Sequence, residues 1–453
     1  MIRIRVLVLT MCAVSAGMGA LVACGADDSR PTFAADLDSG AEADVTAPPD
    51  PSLPPSLSEP DADVDGAADA GPTKPDYDAS DEAVVCTETP CVKQLAAGDN
   101  HFCALLDDGT VRCWGDNDRG ALGSGVTTRI YGAPQTVVGV DRVTQIGASG
   151  LTTCARTSEG RVKCWGQNAQ GQLGLQVTPP VFDSNYHATA NEVPIAAGVE
   201  RVDVGIRDVC AVGGNGSDVY CWGDNAQKQL ARVDAGFVGG PGPVDGQGFQ
   251  LTRIAVGITS VFGITKTGEL VGWGVVSGRP TSISPTTIMA PIPSLEDVTS
   301  VAASTAGNQC VVASRKVYCW GYNSKGLLGT GISDVENYPA PAALAAGAGV
   351  FPQQVSVSSY RSCVRMTDGS VWCAGSDDRG QLGRGTAGTY SLSFVRASAF
   401  QEYAVQIATS SFATCALVQG GKVVCWGGNG GGELGMGTTD SNPHPSPVSI
   451  VFP

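Results

Sequence analysis

The chain has 453 residues, 42% of them hydrophobic and 16% charged, which is material for a large core and more than one typical domain requires. About 14 of its 16 net negative charges fall between Gly25 and Val85, so the low isoelectric point describes that stretch and not the rest. Beyond it, 24 Lys and Arg stand against 28 Asp and Glu with no basic run, which excludes the usual electrostatic footprint of a nucleic-acid-binding protein.

The N-terminus reads as a processing signal spanning residues 1–23, with Arg3 and Arg5 ahead of an apolar run from Val6 to Ala23. It ends in Leu21-Val22-Ala23-Cys24-Gly25, which resembles a bacterial lipobox. Cleavage before Cys24 would leave a thiol to receive diacylglycerol and an amine to be acylated, so that lipid holds the protein to a membrane. An uncleaved anchor or an ordinary signal peptide is the alternative, because the apolar run approaches the ~20 residues of a spanning helix. Small residues before Cys24 and a polar chain after it favour the lipoprotein reading. Gly25-Ala26 lacks the aspartate that favours inner-membrane retention where lipoproteins are sorted by the following residues. The expected location is therefore extracytoplasmic and lipid-anchored at an outer membrane, with the periplasmic and surface faces both open.

Residues 24–85 form the next segment. Sixteen acidic residues, two basic ones and nine prolines leave it too little apolar surface to offset its chain entropy, so it reads as a disordered, self-repelling tether.

From residue 86 to 453 one pattern recurs. Its Trp-Gly positions fall at Trp114, Trp165, Trp222, Trp273, Trp320, Ala374 and Trp426, with steps of 51, 57, 51, 47, 54 and 52 residues. Within a copy, two β-type runs flank a glycine turn, as in Phe102 to Leu106, Asp107-Asp108-Gly109 and Thr110 to Trp114. A period near 50 with short strands and glycine turns predicts a blade of a β-propeller. Seven copies predict an all-β, seven-bladed β-propeller. Val92 to Leu95 before the first copy and Val448 to Val451 after the last together make one connector, which predicts ring closure between the N- and C-terminal strands.

Cysteine spacing supplies the second signal. Six copies carry one pair each: Cys103 and Cys113, Cys154 and Cys164, Cys210 and Cys221, Cys310 and Cys319, Cys363 and Cys373, and Cys415 and Cys425. Around a three-residue loop, positions ten apart lie opposite on adjacent strands, where Cβ atoms are ~4.5–5.5 Å apart and a disulfide needs slight closure. The spacings of nine and eleven in the fifth and third copies suit even loops at Ser314-Arg315 and Asn215-Gly216. The fourth copy loses both cysteines together, with Phe262 and Gly272 in their places, as a bonded pair would. Cys86 and Cys91 flank a short loop, and whether they pair stays open. A metal site finds no support: there is no Cys-x₂-Cys spacing, and Asp116-Asn117-Asp118 and Asp377-Asp378 lack the spaced glutamate of a calcium loop. Disulfides on this scale imply an oxidising compartment.

The recurring C-W-G-x-N-x-x-G-Q-L-G resembles the repeat of the regulator-of-chromosome-condensation family, over roughly residues 92 to 453. The resemblance implies a seven-bladed propeller. The exchange activity suggested by the family name belongs to a nuclear member and has no substrate outside the cytoplasm. A nearer analogy is with secreted bacterial β-lactamase-inhibitor proteins built on this repeat, which implies a protein-binding ring. Gly115, Asn117, Gly166 and Asn168 read as tight-turn residues.

No catalytic motif is present, and His101, His187 and His444 are scattered, so the chain reads as a binding protein and not an enzyme, with no cofactor. An unknown protein or envelope ligand is the expected partner, and a monomer the expected state. A structural envelope protein without a specific ligand is the alternative; a hydrolase or lyase using the propeller channel is a more remote one. Loops on a rigid scaffold are the default place for recognition. The divergent connectors are Leu175 to Glu200, Ala231 to Gln250 and Val275 to Pro293, and the first of these offers Phe182, Tyr186 and His187 as contact residues.

Overall fold

The second strand of each repeat decides the architecture. Every residue of His101–Leu106 is buried, as is every residue of Asp208–Gly213, Ser260–Thr265, Asn308–Ala313, Arg361–Met366 and Ala413–Val418. A strand covered on both faces needs a sheet on either side, and a ring of radial sheets supplies both. The computed structural model, which describes residues 82–453 except 88, 130–131, 246–247 and 278–284, has seven four-stranded antiparallel sheets, each of four consecutive strands. The signal region, Cys24 and the tether up to residue 81 lie outside the described residues. The seven-bladed propeller expected from the repeats is the fold of this chain.

Blade 1 runs from an inner strand, Val92–Ala97, through His101–Leu106 and Val111–Gly115 to an outer strand, Gln135–Thr136. Blade 7 repeats the order with Ala404–Thr409, Ala413–Val418, Val423–Asn429 and Asp440–Ser449. One face of the ring, called the loop face below, carries the links between inner and second strands and the long links between third and outer strands. The opposite turn face carries the second-to-third hairpins and the links to the next blade.

Among the described residues seven disulfides are present. Six join the second and third strands of one blade at directly opposed positions, such as Cys103 with Cys113, at Cα separations of 4.1 to 4.2 Å. So short a separation marks the non-hydrogen-bonded site of an antiparallel pair, where side chains stand closest. The altered spacings are absorbed in the turns: Ser314 and Arg315 form a two-residue loop with both residues at positive φ, and residues 214–217 form a four-residue loop. The seventh bond joins Cys86 to Cys91 ahead of the first blade. In blade 4, Phe262 and Gly272 are paired at the cystine position, and the Phe262 ring packs edge-on against Trp320 at 5.8 Å.

Two contacts recur where blades meet. The turn-glycine carbonyl accepts the N–H that opens the next inner strand: Gly109 from Val143, Gly160 from Val199, Gly268 from Val298, Gly369 from Ala404, and Gly421 from Val92. The two remaining seams follow the two altered turns, and one of them opens on Pro352, which has no N–H. The blade tryptophan donates its indole N–H to a carbonyl of the preceding blade, Trp165 to Ala121, Trp222 to Gln172, Trp273 to Gln229, Trp320 to Ser277, Trp426 to Gln381 and Trp114 to Glu433, at 2.7 to 3.2 Å. The glycine that ends the motif makes room for this ring, since a Cβ on Gly123 would lie 2.7 Å from Trp165 Nε1. Blade 6 has Ala374 in place of tryptophan, and Phe394 from its own outer strand fills the vacancy beside Gly329.

Ring closure falls between blades 7 and 1 and uses the same contacts. Gln406 accepts from Leu95 N (2.8 Å) and donates to Leu95 O (3.0 Å), as Gln145 does with Val202 and Gln354 with Ile407. The two termini do not share a sheet; the C-terminal segment instead brings Ile450 and Phe452 against Trp114. Closure is thus made by side-chain packing and cross-blade hydrogen bonds. Deleting residues 448–453 should therefore lower stability by roughly 3–5 kcal/mol, the scale of losing large buried side chains, in a denaturant melt against the full chain.

Candidate functional site

The asparagine of the repeat is spent on structure. Asn117 donates its amide to Val126 O and Thr128 O and accepts from Leu122 N, and Asn168, Asn225, Asn323 and Asn429 close their loops in the same way. The glycine after each tryptophan is equally constrained: Gly115 has φ +103°, and a Cβ there would lie 2.5 Å from Asn100 O. The recurring motif therefore builds loops and does not itself present a ligand site. Among the described residues no group of three or more His, Cys, Asp or Glu is arranged to hold a metal ion.

Three buried titratable side chains occupy one equivalent position, the first residue of the second strand: His101, Asp208 and Arg361. His101 Nε2 meets Thr153 Oγ1 of the next blade at 2.8 Å, and burial pushes its pKa down to about 4. Arg361 reaches Thr414 Oγ1 at 3.0 Å and Ser410 O at 2.8 Å in blade 7, with burial pushing its pKa down to about 9. Asp208 has neither carboxylate oxygen hydrogen-bonded, because blade 4 offers Val261 where blade 2 offers Thr153; burial, and then the neighbouring Asp224, hold its pKa well above the usual range. These groups lie in different blades and are closed off from solvent, so they are seam contacts and no catalytic constellation.

Of the three contact residues named from the sequence, Phe182 is 57% exposed and Tyr186 46% exposed on the loop face. Tyr186 also serves a seam: its hydroxyl donates to Asp118 Oδ1 at 3.3 Å, and the Arg119 guanidinium lies 5.6 Å from the ring centre. His187 is turned to structure, with Nε2 donating to Asp183 Oδ1 at 2.9 Å. The same device recurs in blade 7, where His444 donates to Asp440 at 3.0 Å and Arg379 donates to Ser441 O as Arg119 does to Ser184 O. Asp183-Ser-Asn-Tyr-His187 and Asp440-Ser-Asn-Pro-His444 thus spell one fastening for two outer strands.

The wider pattern was not readable from single segments. Nine aromatic side chains are substantially exposed among the described residues, and all but Tyr403 lie in the loops, or at the loop-face ends of outer strands, of one face. Tyr360 and Phe412, in the inner-strand links of blades 6 and 7, meet at 6.0 Å beside the channel mouth. Phe412 borders a cavity of about 350 Å³ whose walls include Asn100, Asp116, Arg129, Arg379 and Glu433. Gly430 and Gly431 stand here where blade 6 has Asp378 and Arg379, and the missing side chains leave the space. Arg129 pairs with Asp116 at 2.6 Å, and Glu433 accepts from Gly431 N at 2.8 Å while burial raises its pKa. The loop face thus gathers exposed aromatic side chains around a small charged recess.

Comparison with known proteins agrees with this geometry. Residues 92–121, 143–172, 353–381 and 404–433 match the regulator of chromosome condensation (RCC1) repeat. These fall in blades 1, 2, 6 and 7, and leave out the two blades with altered turns and the one without a disulfide. The human E3 ubiquitin-protein ligase HERC2 is 26% identical over 362 residues, covering 76% of this chain and 7% of its own length. The ultraviolet-B receptor UVR8 of Arabidopsis thaliana is 27% identical, covering 55% of this chain and 57% of its own length. This chain therefore spans only part of each. Among solved structures, Prp20p of Saccharomyces cerevisiae superposes with a TM-score of 0.64 at 18% identity, covering 81% of this chain and 87% of that one. Human WBSCR16 gives 0.61 at 19%, covering 71% and 85%. The solved structures support the fold.

The orphaned carboxyl of Asp208 gives a test of the seam reading. Its raised pKa means that the unfolded state releases this proton at lower pH than the folded state, so its contribution to stability is lost as pH rises above the ordinary carboxylate range. Asp208→Asn should raise the melting temperature at pH 7 and leave it unchanged near pH 3, as followed by thermal denaturation at both values.

Proposed function

We propose that this RCC1-like propeller is an exported, lipid-anchored protein that binds a protein partner through its loop face. One observation carries the binding reading: the exposed aromatic side chains are gathered on one face of a rigid ring, where the loops are longest. Phe237, 82% exposed, and Phe182 mark its rim over blades 3 and 2, and Tyr360 with Phe412 mark its centre. Burying such side chains under a partner releases more free energy than the polar surface around them can. The comparison is consistent: Prp20p has binding properties to Gsp1p and histones, and Kap60 binds yeast RCC1.

Export is supported by the basic and apolar N-terminus and by the seven disulfides, which persist in oxidising compartments. The lipobox at Cys24 supplies the anchor and the acidic segment ahead of residue 82 the spacer, at an outer membrane, while residues 82 to 85, expected from the sequence to belong to the tether, are held on the ring by Arg365, Lys93 and Gln419. Metabolic labelling with a fatty acid should mark the wild-type protein and not Cys24→Ala; equal labelling of both removes the anchor from this reading.

A partner recovered by cross-linking from the native envelope provides the second test. Replacing Tyr360 and Phe412 together with alanine should weaken its binding by about 2 kcal/mol or more, as should Phe182 with Phe237 if the footprint reaches the rim. Tyr403→Ala, on the turn face, should leave the affinity unchanged in the same titration.

A further inference from the structure

The turn face has a chemistry of its own. Around its channel mouth, over blades 1 to 4, lies a cavity of about 440 Å³ walled by Lys93, Arg156, Arg201, Arg253 and Lys266, with Glu200 as its one carboxylate. With Asp203 pairing Arg201 beside the wall, five cations against two carboxylates is still a local excess on a domain whose acidic residues outnumber its basic ones. Two of the guanidiniums are held in place: Arg156 donates to Val199 O at 2.6 Å and Thr144 Oγ1 at 2.8 Å, and Arg201 pairs with Asp203 at 3.1 Å. Glu200 is itself engaged, accepting from Asn215 N at 2.8 Å.

The same face shows what such positions accept. Arg365 in blade 6 is the equivalent of Arg156 in blade 2, each pairing with a glutamine of the inner strand and a valine of the third: Gln354 and Val371 for Arg365, Gln145 and Val162 for Arg156. On Arg365 sits the carboxylate of Glu82, with Nη2 donating to Oε2 at 2.5 Å. Three residues on, Val85 N donates to Gln419 Oε1 at 2.9 Å, and Thr87 N donates to Gly420 O at 3.1 Å. Lys93, a wall of the cavity, donates to the backbone carbonyl of Val84 at 2.7 Å. An acidic side chain on a strand-end arginine, with its backbone held by lysine and turn groups, is therefore a contact this face already makes.

We propose that the cavity over blades 1 to 4 binds an acidic segment of a partner polypeptide, an extended stretch presenting two or more Asp or Glu side chains. Glu82 on Arg365 is the internal example; planar guanidiniums such as those of Arg156 and Arg253 match carboxylates in shape as well as charge, and Lys93 and Lys266 add charge beside them. The site lies on the face opposite the aromatic one, so loss of either reading leaves the other standing.

The full chain, incubated at low ionic strength with a short biotinylated peptide alternating Asp and Ala, would be treated with a carbodiimide that joins amines to carboxylates. Peptide mapping is expected to place the biotinylated peptide on Lys266 or Lys93. In a parallel binding titration, Arg253→Glu with Lys266→Glu should lower affinity at least tenfold, and Lys266→Ala should lower it by less. Lys422→Glu, which reverses a turn-face lysine outside the cavity, should leave it unchanged, and added salt should weaken binding. Attachment spread evenly over surface lysines, links from Lys266 only to carboxylates of its own chain, or equal affinity for Lys422→Glu and the double variant would each overturn the proposal.

Discussion

Everything in this molecule depends on burying both faces of seven second strands at once. A strand such as His101–Leu106, sealed at every position, has no stable arrangement in an isolated blade, because one of its faces would be left to water. Each blade therefore borrows its cover from the next, and the repeat motif is the record of that dependence. The tryptophan caps the seam and spends its N–H on the neighbour; the final glycine yields the space for the neighbour's ring; the asparagine holds the loop that carries that glycine and the carbonyl accepting the N–H. A ring formed in this way must close, and blades 7 and 1 close it with the Gln406 to Leu95 exchange and the Trp114 contacts that other seams use.

The disulfides are secondary to that packing. Blade 4 shows this, since it keeps its place in the ring with Phe262 and Gly272 where other blades have cystine. The ring of Phe262 lies over Gly272, where a Cβ would come within 3.3 Å of it, and continues to Trp320 in blade 5. A bulky residue opposite glycine fills the volume that the cystine fills elsewhere. What the cystines add acts chiefly on the unfolded chain, by restricting its reachable conformations.

How much could be read in advance follows from the range of each signal. The repeat count, the hairpin turns and the six opposed cysteine pairs are local patterns within about 30 residues, and the fold emerged from them without further help. The replacement of the blade 6 tryptophan by Phe394 could not be read, because the two residues lie on different strands and meet only across Gly329. His187 reads as a contact residue in sequence, yet its partner Asp183 stands four residues earlier, at a distance that only the bulged outer strand brings to 2.9 Å. Tyr360 and Phe412 each look like single residues in serine-rich links, and their meeting depends on two blades being neighbours in the ring. Functional surfaces on a propeller are assembled from one or two residues per repeat, so they are the part least visible to a reading along the chain.

The two faces differ for a reason that lies in blade geometry. On the loop face the links between third and outer strands run from 10 residues (430–439) to 19 (116–134), with their first part fixed at the seam and the remainder free to differ in length. The exposed aromatic side chains of this face stand on these links, on the inner-strand links and at the strand ends beside them. On the turn face the second-to-third hairpins are two to four residues and five of the seven are pinned to the next blade through the turn-glycine carbonyl, so within them little can vary except the side chains at strand ends. Those ends point toward the channel mouth, where long cationic side chains from adjacent blades converge without altering the backbone. One scaffold can therefore hold an adaptable, apolar surface on one side and a fixed, charged one on the other, because the constraint that closes the ring bears on the two sides unequally.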